Sequence, residues 1–296
     1  MSHAWMPTSP CGPGCLTGDE PTVGRVRAAG RLCRTAGVLV TALALAPVVG
    51  LLPRSRRASV LRRVFRGLLR AVGVRLAVRN AAGLRPVPGR GALVVHNHIS
   101  WLDIVAINGV RPMRALAKRE VRGWPLIGAL ATAAGSVYLD RERLRTLPGT
   151  MTELAGVLRG GSMVTVTPEG TTWCGQASGR FRTATFQAAI DAGVPVIPVA
   201  LRFRAAGGRE TSAPAFIGAE SLVESIRRVV RLRGLVLELE VLPELRSERA
   251  ADRRELAALA EASVDLALGR TLLRAEIPYR SARLDLGRAR GCTMDW

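Results

Sequence analysis

The sequence predicts an α/β domain built on a mostly parallel central sheet with helices on both faces. Two observations predict it. From about residue 74, short apolar runs alternate with stretches of helical periodicity, and apolar strands separated by helices imply a sheet buried on both sides. The chain also has 296 residues, 48% of them hydrophobic, which is enough for one large domain plus an appendage. Candidate strands are Val74–Val78, Ala92–Val95, Met113–Ala117, Ser136–Leu139, Met163–Val166, Val196–Phe203 and Val236–Val241. Candidate helices lie near 101–109, 124–134, 149–159, 182–192, 219–231 and 252–268. No internal repeat is visible.

The segments before residue 74 read differently. Residues 1–24 are rich in Gly, Pro and Ser and read as disordered. Thr35 to Pro53 is a run of 19 uncharged residues between Arg34 and Arg54, at the lower limit of a bilayer span. Pro47 is expected to kink it. It starts late and lacks a clean A-x-A site, so a cleaved signal peptide fits poorly. Next, Val60, Leu61, Val64, Phe65, Leu68, Leu69 and Val72 form one apolar stripe, with Arg62, Arg63, Arg66 and Arg70 on the other face. That pattern is expected of a helix lying in a membrane interface with its arginines on lipid phosphates, an ordinary amphipathic helix packed on the domain being the alternative.

The formal net charge is +20, and its placement is informative. Residues 21–102 hold 15 arginines and no acid. Such a stretch wants a polyanion, either nucleic acid or an anionic membrane face. Aromatic residues make up only 4%, too few for a base-stacking surface, so no nucleic acid partner is expected. The five cysteines, Cys11, Cys15, Cys33, Cys174 and Cys292, are scattered without a C-x-x-C pair. Free thiols in a reducing compartment are the default. There is no G-x-G-x-x-G after a strand, no P-loop and no G-x-S-x-G elbow, so neither a dinucleotide enzyme nor a serine hydrolase is supported.

Two of the three histidines, His96 and His98, sit where the strand Ala92–Val95 ends, and carboxyl ends of strands are where open α/β sheets bind ligands. A neutral imidazole there accepts a proton from a hydroxyl and later releases it to a leaving group. Asp103, five residues on from His98, is a candidate partner for the other ring nitrogen. In a straight helix five residues are about 140° apart, so His98 belongs in the loop and Asp103 in the first turn, folding back. Ser100-Trp101-Leu102-Asp103 also resembles a capping box with Asp in place of Glu. Metal binding by His96 and His98 lacks a third ligand, so no metal is expected there.

At this point the residues resemble a known family. Asn97-His98-x-x-x-x-Asp103 looks like the signature of the glycerolipid acyltransferases that form phosphatidic acid from 1-acylglycerol 3-phosphate. Ala117-Lys118 and Trp124-Pro125-x-x-Gly128 are similar to the stretch between the family's first two blocks. Gly135-Ser136-Val137-Tyr138-Leu139-Asp140-Arg141 is similar to its second, whose arginine is expected to hold the acceptor's phosphate. Thr167-Pro168-Glu169-Gly170-Thr171 resembles its third, which helps bind the same acceptor. Val194–Val199 resembles its fourth, an apolar block. Two departures stand out. The third block commonly continues with arginine and serine, where this chain has Thr172 and Trp173. Phe181-Arg182 resembles a phenylalanine–lysine pair, with Ala184 where glycine is usual.

The resemblance implies direct acyl transfer from a thioester, acyl-CoA or acyl carrier protein, to a lysophospholipid acceptor. His98 is expected as general base and Asp103 as its partner. Arg141, Glu169, Gly170 and Thr171 are expected to bind substrate, with no organic cofactor or metal. It also implies a two-helix membrane-docking module ahead of the catalytic domain, for which residues 35–72 supply the candidates. The expected organisation is therefore a disordered 1–24, membrane-associating helices over 25–73, the α/β domain over 74–268 and an Arg-rich tail over 269–296. The module would hold the enzyme on the anionic cytoplasmic face of the cell membrane, as a peripheral or single-pass protein. Another lysolipid acceptor, such as a lyso-ornithine lipid, is the nearest alternative.

Overall fold

The computed structural model describes residues 6–85, 87–124 and 127–270, except the side chain of Arg54. The expected Arg-rich tail beyond 270, together with His3, Pro125 and Cys292, lies outside the described residues. Seven strands form one sheet: β1 (Arg75–Arg79), β2 (Ala92–His96), β3 (Arg114–Lys118), β4 (Val137–Leu139), β5 (Met163–Val166), β6 (Val196–Arg204) and β7 (Val236–Val241). The order is β1-β7-β6-β2-β5-β3-β4, and only the β6/β7 pairing is antiparallel. Each expected strand is present, with ends shifted by a residue or so.

Alternate residues of β2 feed two cores. Val94 faces one core with Leu201, Phe203 and Leu239, closed by helices α3 (Leu102–Val110) and α7 (Leu222–Val229). Leu93 and Val95 face the other with Val164 and Val196, closed by α5 (Leu147–Arg159), α6 (Ala184–Ala192) and α8 (Arg253–Leu268). A two-faced core is why these strands read as continuous apolar runs. The short helix α4 (Ile127–Ala133) leads into β4.

Two helices precede the sheet, α1 (Arg25–Leu51) and α2 (Arg54–Val72), joined by a turn at Leu52 and Pro53. α1 begins ten residues before the apolar run and continues through Pro47. Its first turns stand on the domain. Arg31 is buried and donates to the carbonyls of Val230 (2.9 Å) and Leu232 (2.7 Å). Its guanidinium lies over Gly73, the left-handed cap of α2 at φ 88°. Any side chain there would strain the backbone and also strike Arg31, so the position takes glycine.

Two expectations are corrected here. The apolar stripe of α2 does not face outward: Leu68, Leu69 and Val72 are buried and Phe65 packs against the core, while Arg62, Arg63, Arg66 and Arg70 are exposed. α2 is sandwiched between α1 and α3, and Arg66 donates to the carbonyl of Gly109 (2.7 Å). The outward apolar surface belongs to α1, where Val40, Leu45, Val48 and Leu51 are exposed. By length and composition α1 is also the one described helix able to cross a membrane.

The second correction concerns the N-terminus. Residues 6–24 are not disordered but lie along the domain. Thr17 exchanges hydrogen bonds with Ser212 (3.0 Å each way), Val23 N–H donates to Arg231 (2.8 Å), and Thr22 forms an antiparallel bridge to Leu232. Cys11 and Cys15 are buried beneath this arm. These long-range backbone bonds order a segment whose own composition gives no such signal.

Candidate functional site

Four neighbouring parallel strands, β2, β5, β3 and β4, deliver the site from their carboxyl ends. His98 follows β2, Glu169 and Gly170 follow β5, Lys118 ends β3, and Arg141 follows β4. The sequence reading placed these residues in separate blocks; the sheet order makes them neighbours at one edge, where α/β sheets bind ligands.

The loop 97–100 is held from every side. Asn97 pairs with the backbone of Leu201, donating to its carbonyl (2.9 Å) and accepting from its N–H (2.8 Å). The N–H of His98 donates to Glu169 Oε2 (2.7 Å), and its carbonyl accepts from Trp173 N–H (2.8 Å). The carbonyl of Ile99 accepts from Phe216 N–H (2.9 Å). Asp103, fully buried in the first turn of α3, closes the set. Its Oδ2 accepts from Ile99 N–H (2.7 Å) and Ser100 N–H (2.8 Å) and lies 2.9 Å from His98 Nδ1. Both readings of Asp103 therefore hold in part. The carboxylate half of a capping box is formed, whereas no side chain caps the helix N-terminus and Ser100 Oγ has no hydrogen-bond partner among the described residues.

Asp103 Oδ2 faces the His98 Nδ1 as an acceptor, so that ring nitrogen is assigned the proton it donates. That leaves Nε2 with a lone pair. The His98 side chain is 20% exposed, against 0% for Asp103, so the ring reaches outward from a buried anchor. This is the geometry of a general base held by a carboxylate.

His96 plays another part. It is fully buried, its Nδ1 lies 2.7 Å from the Asn97 carbonyl, and its ring stands edge-on to His98 at 6.2 Å. Burial pushes its pKa down to about 4, so it stays neutral as a wall of the site.

A cavity of about 120 Å³ is lined by Leu116, Leu139, Met151, Arg141, Gly170 and Arg182 among others; neither His98 nor Asp103 lines it, and Glu169, next to Gly170, connects it to the His98 loop. Arg141 donates to the carbonyl of Gly170. The Arg141 pKa is lowered by burial and by Arg182, against the opposing pull of Glu120. Lys118 is held down by desolvation and by Arg141. Lys118 and Arg182 thus each press on Arg141, with Glu120 offsetting part of the charge, and Arg141 and Arg182 line an apolar hollow, an arrangement an anion would relieve. Asp140, the neighbour of Arg141, accepts from Arg119 (2.9 Å).

The third block divides. Gly170 sits at φ 79°, and a Cβ there would lie 2.7 Å from Pro7, so the turn 167–170 carries a glycine for two reasons. Glu169 is only 4% exposed, and its two oxygens accept from the backbone of His98 (2.7 Å) and Gly179 (3.2 Å). Expected as a substrate ligand, it also braces the His98 backbone. Thr171 is half-buried and, like Glu169, is not among the residues lining the cavity. Thr172, in the place of the usual arginine, donates its hydroxyl to the carbonyl of Phe216. Asn97 braces the His98 loop and Arg182 lines the cavity; neither stood among the expected site residues. Cys174 is disulfide-bonded, against the expectation of free thiols throughout.

A family model described as Acyltransferase matches residues 75–202. A 1-acyl-sn-glycerol-3-phosphate acyltransferase of Neisseria meningitidis serogroup B is 33% identical over 235 residues, covering 79% of this chain and 90% of that protein. The chain belongs to the lysophospholipid acyltransferase family. A lyso-ornithine lipid O-acyltransferase of Pseudomonas aeruginosa is 36% identical over 185 residues, covering 61% of this chain and 69% of that protein. The fold matches the crystal structure of the 1-acyl-sn-glycerophosphate (LPA) acyltransferase PlsC of Thermotoga maritima, with a TM-score of 0.61 at 19% identity over 85% of this chain and 99% of that one. The protein is therefore an acyltransferase of lipid metabolism.

Two predictions test the site. Glu169→Gln keeps one acceptor but sets an amide NH₂ against a backbone N–H. It should lower kcat by about 10- to 100-fold with little change in KM for the lipid; a rise in KM alone would mean that Glu169 binds substrate. His96 should tie stability to pH. The unfolded chain takes up a proton near the ordinary 6.5 and the folded chain resists down to about 4. Between those values the unfolded state holds more protons, so stability falls as pH drops through that window, with no slope from this group above it. Urea titrations across pH 4–7 should show His96→Asn flattening that slope.

Proposed function

We propose that this acyltransferase moves a fatty acyl group from an acyl thioester, acyl-CoA or acyl carrier protein, to the sn-2 hydroxyl of 1-acyl-sn-glycerol-3-phosphate, giving phosphatidic acid. The observation that carries this reading is the group of cations at the carboxyl edge of the sheet: Arg141 and Arg182 line the cavity, and Lys118 acts on Arg141. A phosphate monoester brings about 1.5–2 negative charges at neutral pH. An ornithine headgroup carries a carboxylate and an ammonium that nearly cancel. Three clustered cations favour the phosphate.

His98 Nε2 takes the hydroxyl proton as the oxygen attacks the thioester carbonyl, and Asp103 stabilises the imidazolium that forms. The tetrahedral intermediate collapses, the C–S bond breaks, and the leaving thiolate recovers the proton from His98. The products are the diacyl lipid and the free thiol. Arg141 and Arg182 hold the phosphate so that the hydroxyl meets Nε2, and orientation of this kind supplies much of the rate. Glu169 acts one step back, through the backbone of His98.

The helix hairpin supports membrane docking on one face. The start of α1 and the end of α2 both rest on the same domain, and α2 is sheathed in arginine. A single crossing by α1 would strand α2 on the far side. α1 therefore lies against the surface, with Val40, Leu45 and Val48 in the acyl region and the arginines of α2 toward anionic headgroups.

Transfer to a lyso-ornithine lipid is the second reading, favoured by Thr172 and Trp173 in place of arginine and serine and by the Pseudomonas relative. Purified enzyme with labelled acyl-CoA and a lysolipid panel decides between them. The phosphate acceptor should show the highest kcat/KM, and Arg141→Ala or Arg182→Ala should raise its KM about tenfold or more. Preference for the ornithine acceptor would refute the first reading. Val40→Glu combined with Val48→Glu should cut binding to anionic vesicles at least about tenfold; unchanged sedimentation with vesicles would remove α1 from the docking surface.

A further inference from the structure

The cavity is not walled by the α/β domain alone. Pro7, from the N-terminal arm, lines it together with Arg141, Gly170 and Arg182. The arm lies outside residues 75–202, the part of the chain that the family model matches. The Pro7 ring packs over the turn that follows β5. A Cβ built on Gly170 would lie 2.7 Å from Pro7 Cγ and 3.3 Å from Arg182 Nε. Ring and guanidinium therefore flank the same glycine, whose carbonyl accepts from Arg141.

The arm is tied close to this contact. Cys11, four residues on, is buried in the core, and its sulfur accepts from Cys174 N–H (3.4 Å). Its own N–H donates to Ser9 Oγ (3.2 Å). Ser212 Oγ donates to the Cys15 carbonyl (2.6 Å), and Thr17 meets Ser212 beyond it. Four residues of chain reach at most about 13–14 Å, so Pro7 has little range. Proline also has a fixed φ and no N–H, so its ring makes a stiff wall that needs no hydrogen-bond partner.

We propose that Pro7 is a specificity-determining wall of the acceptor site, admitting a headgroup that ends in a phosphate and turning away one that continues beyond it. This rests on the reading of the cavity as the place of the acceptor's phosphate. A cavity of about 120 Å³ is well below the roughly 300–1,000 Å³ of pockets that take drug-sized ligands, so it has room for a headgroup of few atoms. Arg141 and Arg182 supply the donors for the phosphate oxygens. A monoester stops at those oxygens. A diester carries a further alcohol, such as ethanolamine, and that group needs the space the proline ring fills. The apolar ring also keeps water from the arginines, which strengthens their attraction for a doubly charged phosphate.

The test is steady-state kinetics of the full-length protein with one acyl-CoA and two acceptors, 1-acylglycerol 3-phosphate and its ethanolamine diester. In Pro7→Gly the ratio of kcat/KM, monoester over diester, should fall about tenfold or more, chiefly through a lower KM for the diester. Pro7→Ala should move it part of the way, and carries the test if Pro7→Gly is inactive. Pro10→Ala, exposed on the same arm and not among the residues lining the cavity, should keep the wild-type ratio. A Pro7 that only holds the arm in place would lower kcat on both acceptors and leave the ratio unchanged, which overturns the proposal. A change in preferred donor chain length at an unchanged acceptor ratio overturns it as well. Arg141→Ala and Arg182→Ala in the same panel separate the two claims. If they raise KM while Pro7→Ala and Pro7→Gly leave the ratio unmoved, the wall fails and the phosphate reading stands; if they leave KM unmoved, the phosphate reading fails and the wall with it.

Discussion

One carboxylate oxygen organises the active centre. Oδ2 of Asp103 takes two backbone amides from the loop after β2 and the imidazole of His98. The amides fix where the loop runs, and the imidazole bond fixes which ring nitrogen stays basic. Glu169, Trp173, Phe216 and Leu201 then brace the same four-residue loop through backbone bonds. A general base works only if its lone pair arrives within hydrogen-bond reach of the hydroxyl, and small misplacements are costly. The chain therefore spends buried polar groups on position, and leaves one ring nitrogen for chemistry.

Around that centre the sheet performs a sorting task. Parallel strands send their carboxyl ends to one edge, so residues separated in sequence by some seventy positions, such as His98 and Glu169, meet within hydrogen-bond distance. The cations follow from neighbouring strands, and the apolar hollow from the helices behind them. The outward apolar surface belongs to α1, with α2 as the layer that joins it to the domain. The proposed anion recognition, proton transfer and lipid access would thus come from three parts of one architecture.

The sequence made some of this legible and hid the rest for physical reasons. The strands were readable because burial on both faces demands unbroken apolar runs, as in Val94-Val95 and Val196-Ile197. His98 and Asp103 were readable because their meeting is local, a loop and the first turn of a helix. The packing of α2 was ambiguous, since an amphipathic stripe looks the same whether lipid or protein covers it. The ordering of residues 6–24 was hidden because it depends on partners such as Ser212, 195 positions from Thr17. The bracing role of Glu169 was hidden because a carboxylate in a turn gives no sign of which backbone amides it faces. The contact of Pro7 with Gly170 is equally a product of the fold, not of spacing.

The most direct measurement is the protonation pattern of the His98 ring by ¹⁵N NMR, in a chain with only three histidines to assign. At neutral pH the Nδ1–H tautomer should dominate, with a downfield Nδ1 proton that vanishes in Asp103→Asn and an unprotonated Nε2. A His98 ring protonated at Nε2, or one indifferent to the loss of the Asp103 carboxylate, would contradict the account at its centre.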